Sequence, residues 1–143
     1  MSRKPLAVIP GHAVWLDSGH EKLDLYRLAR VFVSDIYRQT GSFPDDEKYG
    51  LVSQIRRAAV SVPVNIAEGA GRGSKREFCR SLLIARGSLS ELRVLFEISH
   101  DNAYIDVQRF GEWTLVLNRL TSMTSGLIRQ LRTKSTAVRG DGN

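Results

Sequence analysis

Two long stretches of the chain repeat apolar residues at alternating intervals of four and three. The first stretch contains Phe78, Leu82, Ala85, Leu89, Leu92 and Phe96. The second contains Phe110, Trp113, Leu117, Leu120, Thr124, Leu127 and Leu131, of which only Thr124 is polar. In an α-helix this spacing places all members on one face, as in helices that pack side by side. The spacing therefore predicts two long helices, each with one buried face.

Two further helices are predicted upstream. The first covers about residues 20–39 and carries apolar residues at helical spacing: Leu25, Ala29, Phe32 and Ile36. The second covers about residues 44–68 and begins at Pro44, because proline suits the first helical turn and three acids follow it. Pro63 lies inside this helix, where it removes one backbone hydrogen bond and predicts a kink. No alternating strand pattern competes with the helical reading.

Local signals mark where the later helices begin. Ser74 and Glu77 have the spacing of a capping box, in which side chains satisfy the free N–H groups of a first turn. Asp106 is placed as the N-cap of the last helix. Four amphipathic helices joined by short connections predict an all-α, up-down four-helix bundle over residues 20–133.

The ends of the chain lack such patterns. With 143 residues, the chain is predicted to form one domain, flanked by a flexible N-terminal extension (residues 1–19) and a flexible C-terminal tail (residues 134–143).

Pro10 and Gly11 interrupt the only apolar stretch near the start, which argues against a secretory signal. No apolar run reaches the ~20 residues that span a membrane. Cys79 is the only cysteine, which excludes an internal disulfide framework and favours a cytoplasmic location.

The positive charge of the chain is concentrated in one segment. The formal net charge is +6, and residues 51–95 contribute five of these six charges, with eight basic and three acidic side chains. Local basicity favours a binding surface for an anionic partner such as RNA or DNA. The predicted binding residues are Arg72, Lys75, Arg76, Arg80, Arg86 and Arg93. The alternative is a solvated basic surface that only keeps the protein soluble.

A polar stripe follows one side of the second helix. At 100° per residue it contains Arg57, Ser61, Asn65, Glu68 and Arg72. One interpretation is that the stripe contacts phosphate or a partner protein. The other is a hydrogen-bonded network at contacts between subunits, in which Arg57 or Arg72 pairs with Glu68 or Glu91. The residues predicted to have structural or interface roles are Arg57, Ser61, Asn65, Glu68, Gly87 and Glu91.

Both central helices carry apolar residues outside their core faces. The second helix has Val60, Val64 and Ala67 there, and the third has Leu83, Gly87, Val94 and Ile98. Glycine inside a helix costs about 1 kcal/mol relative to alanine, a cost that close approach of another helix would offset. A bundle of this size has one core, so the second faces predict a homo-oligomer. Irregular packing within a monomer is the alternative.

Several motifs suggest chemistry but lack the residues that it needs. The glycine-rich segment at residues 69–73 has no Gly-Lys-Ser/Thr ending and no preceding strand, so it is not a nucleotide-binding loop. Glu97 and His100 form one Glu-x-x-His pair, whereas di-iron bundles need two pairs and two further glutamates. No nucleophile with an adjacent base is evident. We therefore expect no catalytic residues, no metal and no cofactor.

Five sequence blocks together resemble a known family. They are QIRRAAVS at residues 54–61, NIAEG at residues 65–69, Arg72, ARGS at residues 85–88, and the pair Glu91–Leu92. This pattern is similar to the bacterial four-helix-bundle proteins of the 23S rRNA intervening-sequence family, and the resemblance covers most of the chain, from about residue 21 to residue 131.

The resemblance implies a small cytoplasmic protein that assembles as a ring-shaped homopentamer. A related branch comprises the accessory proteins of diversity-generating retroelements, which bind reverse transcriptase and nucleic acid. The sequence carries no feature that assigns it to that branch. For function, we expect a non-enzymatic, homopentameric nucleic-acid-binding or scaffold protein that uses a basic surface on helices 2 and 3. The alternative is a protein-interaction module that docks a reverse transcriptase or an RNA-processing enzyme.

Overall fold

The computed structural model describes residues 5–9, 12–15 and 21–140, and the side chains of residues 22–133. Within these residues the fold is a bundle of four α-helices. They are α1 (Glu21–Thr40), α2 (Leu51–Gly71), α3 (Lys75–Asp101) and α4 (Val107–Gly140). Each helix packs on the next along the chain, and α1 also packs on α4, which closes the bundle. The predicted four-helix bundle is confirmed.

The apolar repeats form the core as predicted. All six positions of the repeat in α3 are buried, and so are the five central positions of the repeat in α4. Phe96 lies at the centre, with its ring 4.7 Å from that of Trp113 and 6.0 Å from that of Phe32. Each aromatic pair adds about 0.5–1.5 kcal/mol beyond the burial of its area. The core thus joins α1, α3 and α4 through three aromatic rings.

The predicted starts of α3 and α4 are confirmed by their cap hydrogen bonds. The backbone N–H of Glu77 donates to Ser74 Oγ at 3.3 Å. The backbone N–H of Arg109 donates to Asp106 Oδ1 at 2.7 Å. Since such caps satisfy N–H groups that have no partner inside the helix, they determine where each helix begins.

The predicted start of α2 at Pro44 was wrong. Pro44 precedes a short 3₁₀ turn, Asp45–Glu47, and α2 begins only at Leu51. The reason is a side-chain cap: Glu47 Oε2 accepts the backbone N–H of Leu51 at 3.0 Å. Once started, α2 continues through Pro63 as one helix and ends at Gly71, a few residues beyond the predicted end.

Glu47 also holds the connection between α3 and α4. Its Oε1 accepts the hydroxyl of Tyr104 at 3.3 Å. Desolvation, and then the negative charge of Glu47, raises the pKa of the Tyr104 hydroxyl above its ordinary value of 10.0. The hydroxyl of Tyr104 therefore remains a hydrogen-bond donor to higher pH than a free tyrosine hydroxyl would.

Secondary structure also extends into the predicted flexible ends. Strand β1 (Pro5–Ile9) pairs antiparallel with β2 (His12–Trp15), a hairpin that the sequence did not predict. At the other end α4 continues to Gly140, beyond the expected end at residue 133, and no glycine or proline lies between residue 133 and that glycine. The remaining residues of the predicted extension and tail lie outside the described part of the chain.

Candidate nucleic-acid interface

The connection between α2 and α3 is a tight turn with basic residues on both sides. Arg72 follows the last residue of α2, and Ser74 caps α3, whose first residue is Lys75. Gly73 lies between them with a φ of 74°, a left-handed conformation that glycine adopts without steric cost. The turn thus places Arg72, at the end of α2, close in sequence to Lys75, at the start of α3.

Four of the six predicted binding residues lie exposed at this end of the bundle. They are Arg72, Lys75, Arg76 and Arg80, and we call them the basic patch. Among the side chains of residues 22–133, none of the four has an acidic partner within 4.0 Å. Their positive charges are therefore not neutralised by ion pairs within the described chain. Exposed cations of this kind attract phosphate groups in a salt-dependent way.

The other two predicted binding residues have structural partners. Arg86 is half-buried and its Nη1 donates to Ser125 Oγ at 3.4 Å. Arg93 is also half-buried, and its Nη2 donates to Asn118 Oδ1 at 2.6 Å. Both acceptors lie on α4, so these two arginines connect α3 with α4, unlike the four residues of the basic patch.

Part of the polar stripe on α2 forms a network with α3. Asn65 Nδ2 donates to the carbonyl oxygen of Ser61 at 2.8 Å and to Ser61 Oγ at 3.1 Å. Ser88 Oγ, from α3, donates to Ser61 Oγ at 2.9 Å. The network connects the NIAEG and ARGS blocks, since Asn65 and Ser88 belong to one part-buried chain of hydrogen bonds.

The charged residues of the stripe do not form the predicted pairs within the chain. Arg57, Glu68, Arg72 and Glu91 are exposed, and no ion pair joins them among the described side chains. Pairing of these residues across a contact between copies stays a prediction.

The two glycines of the sequence blocks have different surroundings. Gly69 is buried against α3, and a Cβ at this position would lie 2.5 Å from Ser81 Cβ. Only glycine allows this approach, so Gly69 sets the distance between α2 and α3. Gly87 is exposed, and a Cβ there would meet no atom within 4 Å. The helix approach predicted at Gly87 is therefore not made within the described chain.

Two polar clusters were missed at the sequence level. Arg56 Nε donates to Thr40 Oγ1 at 3.0 Å, and its Nη2 donates to the carbonyl oxygen of Tyr37 at 3.1 Å, which caps the last turn of α1. Asp35 is buried in α1 and accepts the indole N–H of Trp113 at 3.1 Å. Both connections join residues far apart in sequence, so no local pattern reveals them.

The described residues contain no metal-ligand cluster. No three His, Cys, Asp or Glu side chains in that part of the chain are placed to share an ion. His100, from the Glu-x-x-His pair, stacks on Phe110 with ring centroids 4.8 Å apart, which gives it a packing role.

A cleft of about 290 Å³ near the start of α4 is lined by both signs of charge, including Arg109 and Glu112. In the part of the chain described, no helix combines the length and apolar character needed to cross a membrane.

Comparison with known proteins identifies the family. Residues 21–126 match the model of the 23S rRNA-intervening sequence proteins. The chain belongs to this family. The match covers α1, α2, α3 and most of α4, and thus all five sequence blocks that carried the resemblance.

A solved structure gives the fold of a similar protein. It is the crystal structure of a protein of unknown function from the S23 ribosomal protein family of Bacteroides thetaiotaomicron VPI-5482. The two structures align with a TM-score of 0.71 over 76% of this chain and 98% of that one, at 17% sequence identity. At this identity the similarity establishes the shared fold alone. No curated protein matches the chain significantly.

Proposed function

We propose that this 23S rRNA-intervening sequence protein is a non-enzymatic, homopentameric scaffold in the cytoplasm that binds nucleic acid through its basic patch. The observation that carries the proposal is the clustering of four exposed cations around one turn, without acidic partners among the described residues. Structural arginines are usually paired, as Arg86 and Arg93 are with polar groups of α4. Unpaired, clustered cations are better suited to an external anion.

The mechanism of binding is electrostatic. Lysine and arginine side chains displace the counterions that surround a phosphate backbone, and the released ions drive association. No aromatic side chain alternates with the basic residues in the segment from residue 72 to residue 80 other than Phe78, which is buried. Stacking on bases is therefore not expected to contribute, and the surface should recognise backbone more than sequence.

Assembly into a ring would multiply this weak interaction. The resemblance implies a homopentamer, and the exposed apolar residues of α2 and α3 support contact with other copies. Five copies at +6 each carry a formal charge of +30. Repetition of one patch lets a single strand contact several copies, which raises the affinity without any new type of contact.

Charge reversal tests the proposed binding residues. We expect the variant Arg72→Glu/Lys75→Glu/Arg76→Glu to bind RNA at least tenfold more weakly than the wild-type protein while keeping its oligomeric state. On single-stranded RNA the slope of log K against log salt should fall by about 2, at roughly 0.7 for each lost phosphate contact. The measurement is fluorescence anisotropy with nuclease-treated protein and single- and double-stranded RNA over a salt series.

A matched control separates the patch from the total charge. Lys22→Glu/Arg27→Glu/Arg30→Glu makes the same change in net charge at exposed positions of α1. This variant should lose far less affinity than the first. Equal losses in both variants, or no loss in the first, would contradict the assignment of the patch.

The second candidate function is docking of a protein. The basic patch could hold an acidic surface of a reverse transcriptase or an RNA-processing enzyme, and exposed apolar residues such as Ile84 lie on the same helix. Purified protein that binds no RNA even at low salt would favour this candidate. A pull-down with the patch variant as control would then find the partner.

A further inference from the structure

An apolar surface on α3 faces away from the core. Leu83, Ile84, Val94 and Ile98 are 36–53% exposed, although these side chains are large and apolar. Gly87 lies among them and is exposed, with open space where its side chain would be. Within the described chain this glycine costs helix stability and contributes no close packing. The missing side chain at Gly87 would stabilise the protein only if a helix outside the described chain packed closely against α3 at this position.

Helix α2 carries a second outward surface of similar character. Val64 is 44% exposed, Ala67 is exposed and Val60 is half-buried. These three residues lie on the side of α2 opposite the core positions Ile55 and Ile66. The chain thus presents two different, mainly apolar helix faces.

Opposite charges at equal spacing flank the α2 surface and the first part of the α3 surface, which contains Leu83, Ile84 and Gly87. On α2, Arg57 and Glu68 are eleven residues apart, and on α3, Arg80 and Glu91 are also eleven residues apart. At 1.5 Å per residue both separations are about 16 Å along the helix. All four side chains are exposed and none has an ion-pair partner among the described residues.

These spacings match when the two helices run antiparallel. In both helices the basic residue precedes the acidic one, so only the antiparallel arrangement places each cation opposite an anion. Arg57 then faces Glu91, and Glu68 faces Arg80. In this register Val64 lies opposite Ile84.

The same register explains the glycine. Gly87 falls opposite the segment between Val60 and Val64, where a larger residue would hold the two helices apart. Close packing of apolar side chains in the middle, with ion pairs at both ends, is the usual composition of a contact between subunits.

We propose that the α2 surface of one copy packs antiparallel against the α3 surface of a second copy. This inference rests on the homo-oligomer of the proposed function and specifies its contact. In the ring of the proposed function, each copy offers its α2 surface to one neighbour and its α3 surface to the other, which is a heterologous contact. Of the four residues of the basic patch, Arg80 then belongs to the contact between copies. The other three, Arg72, Lys75 and Arg76, remain available to bind nucleic acid.

A leucine at Gly87 tests the contact without harming the bundle. Because the space around Gly87 is open in the single chain, Gly87→Leu should keep the helical circular dichroism and the thermal midpoint of the isolated fold. The dissociation constant of the assembly should rise at least tenfold, measured by light scattering across a dilution series. Gly111→Leu is the matched control, because a Cβ at this exposed α4 position also meets no atom within 4 Å. An assembly that tolerates both substitutions equally would overturn the proposal.

Cysteine cross-linking tests the register. In a Cys79→Ser background, chains with Val64→Cys and chains with Ile84→Cys are co-expressed with different tags and oxidised. We expect disulfide-linked pairs that contain one chain of each kind, and far fewer when Leu115→Cys on α4 replaces Ile84→Cys. Links between two Ile84→Cys chains would indicate a symmetric α3–α3 contact and overturn the proposal. An oligomer without mixed links would overturn this contact alone, whereas a monomeric wild-type protein would overturn the proposed assembly as well.

Discussion

Replacing Asp35 with alanine is expected to lower the free energy of unfolding by about 3 kcal/mol. The Asp35 carboxylate is buried at 2% exposure, and it accepts the indole N–H of Trp113 at 3.1 Å. Its other contacts are cationic: Arg38 lies 3.6 Å from Oδ1, and Arg109 lies 3.8 Å from Oδ2. Alanine would leave the Trp113 N–H without its acceptor in the core and remove the buried counter-charge of Arg109.

Two comparison variants separate charge from hydrogen bonding. Asp35→Asn keeps an oxygen that can accept from Trp113, so we expect a smaller loss than with alanine. Glu112→Ala removes the other acidic partner of Arg109, at 3.2 Å, but this side chain is 37% exposed and should cost less than about 1 kcal/mol. Urea denaturation at one protein concentration, followed by tryptophan fluorescence and circular dichroism, measures all three. Equal losses for Asp35→Ala and Glu112→Ala would contradict the prediction.

Adding one methyl group at Gly69 is expected to cost about 2–3 kcal/mol. The new Cβ would lie 2.5 Å from Ser81 Cβ, 2.8 Å from Ser81 Oγ and 3.1 Å from a ring carbon of Phe78. The nearest of these atoms is attached directly to the backbone of α3, so relief requires that α2 and α3 move apart. That movement would also strain the hydrogen bond between Ser61 and Ser88, which joins the same two helices.

The cause can be isolated with a double-mutant cycle. Ser81→Gly removes both of the nearest atoms, so Gly69→Ala should cost much less in the Ser81→Gly background than in the wild-type protein. Gly71→Ala is the control, because a Cβ at Gly71 meets no atom within 4 Å and the change should be under about 0.5 kcal/mol. If Gly69→Ala is as mild as Gly71→Ala in urea denaturation, close helix approach does not explain the glycine of the NIAEG block.

The fold was largely predictable because its determinants are local. The apolar repeats of α3 and α4 predicted the buried faces, and Ser74 and Asp106 predicted where these helices begin. The start of α2 was wrong because the capping side chain, Glu47, belongs to a separate turn and is not at the expected N-cap position. Family membership was also predictable, since the matched region contains all five sequence blocks.

The candidate site was predictable only in part. The basic segment was evident from charge, but sequence alone did not separate the four exposed cations from Arg86 and Arg93, which have partners on α4. The partners lie 39 and 25 residues away, so the distinction depends on how α3 packs against α4. The polar stripe was likewise recognised, while the role of Ser61 became evident only through Ser88, 27 residues further along the chain.

Spacing, capping residues and local charge specified the number of helices, the face that each one buries and the segment that holds most of the positive charge. These properties depend on residues within a few turns of one another, so they can be read from the chain directly. Helix packing specified which arginines of the basic segment have partners on α4, why Gly69 is needed and how the buried Asp35 contacts Trp113, 78 residues away. Those properties depend on the register between helices that are distant in sequence, and only the packed core determines that register.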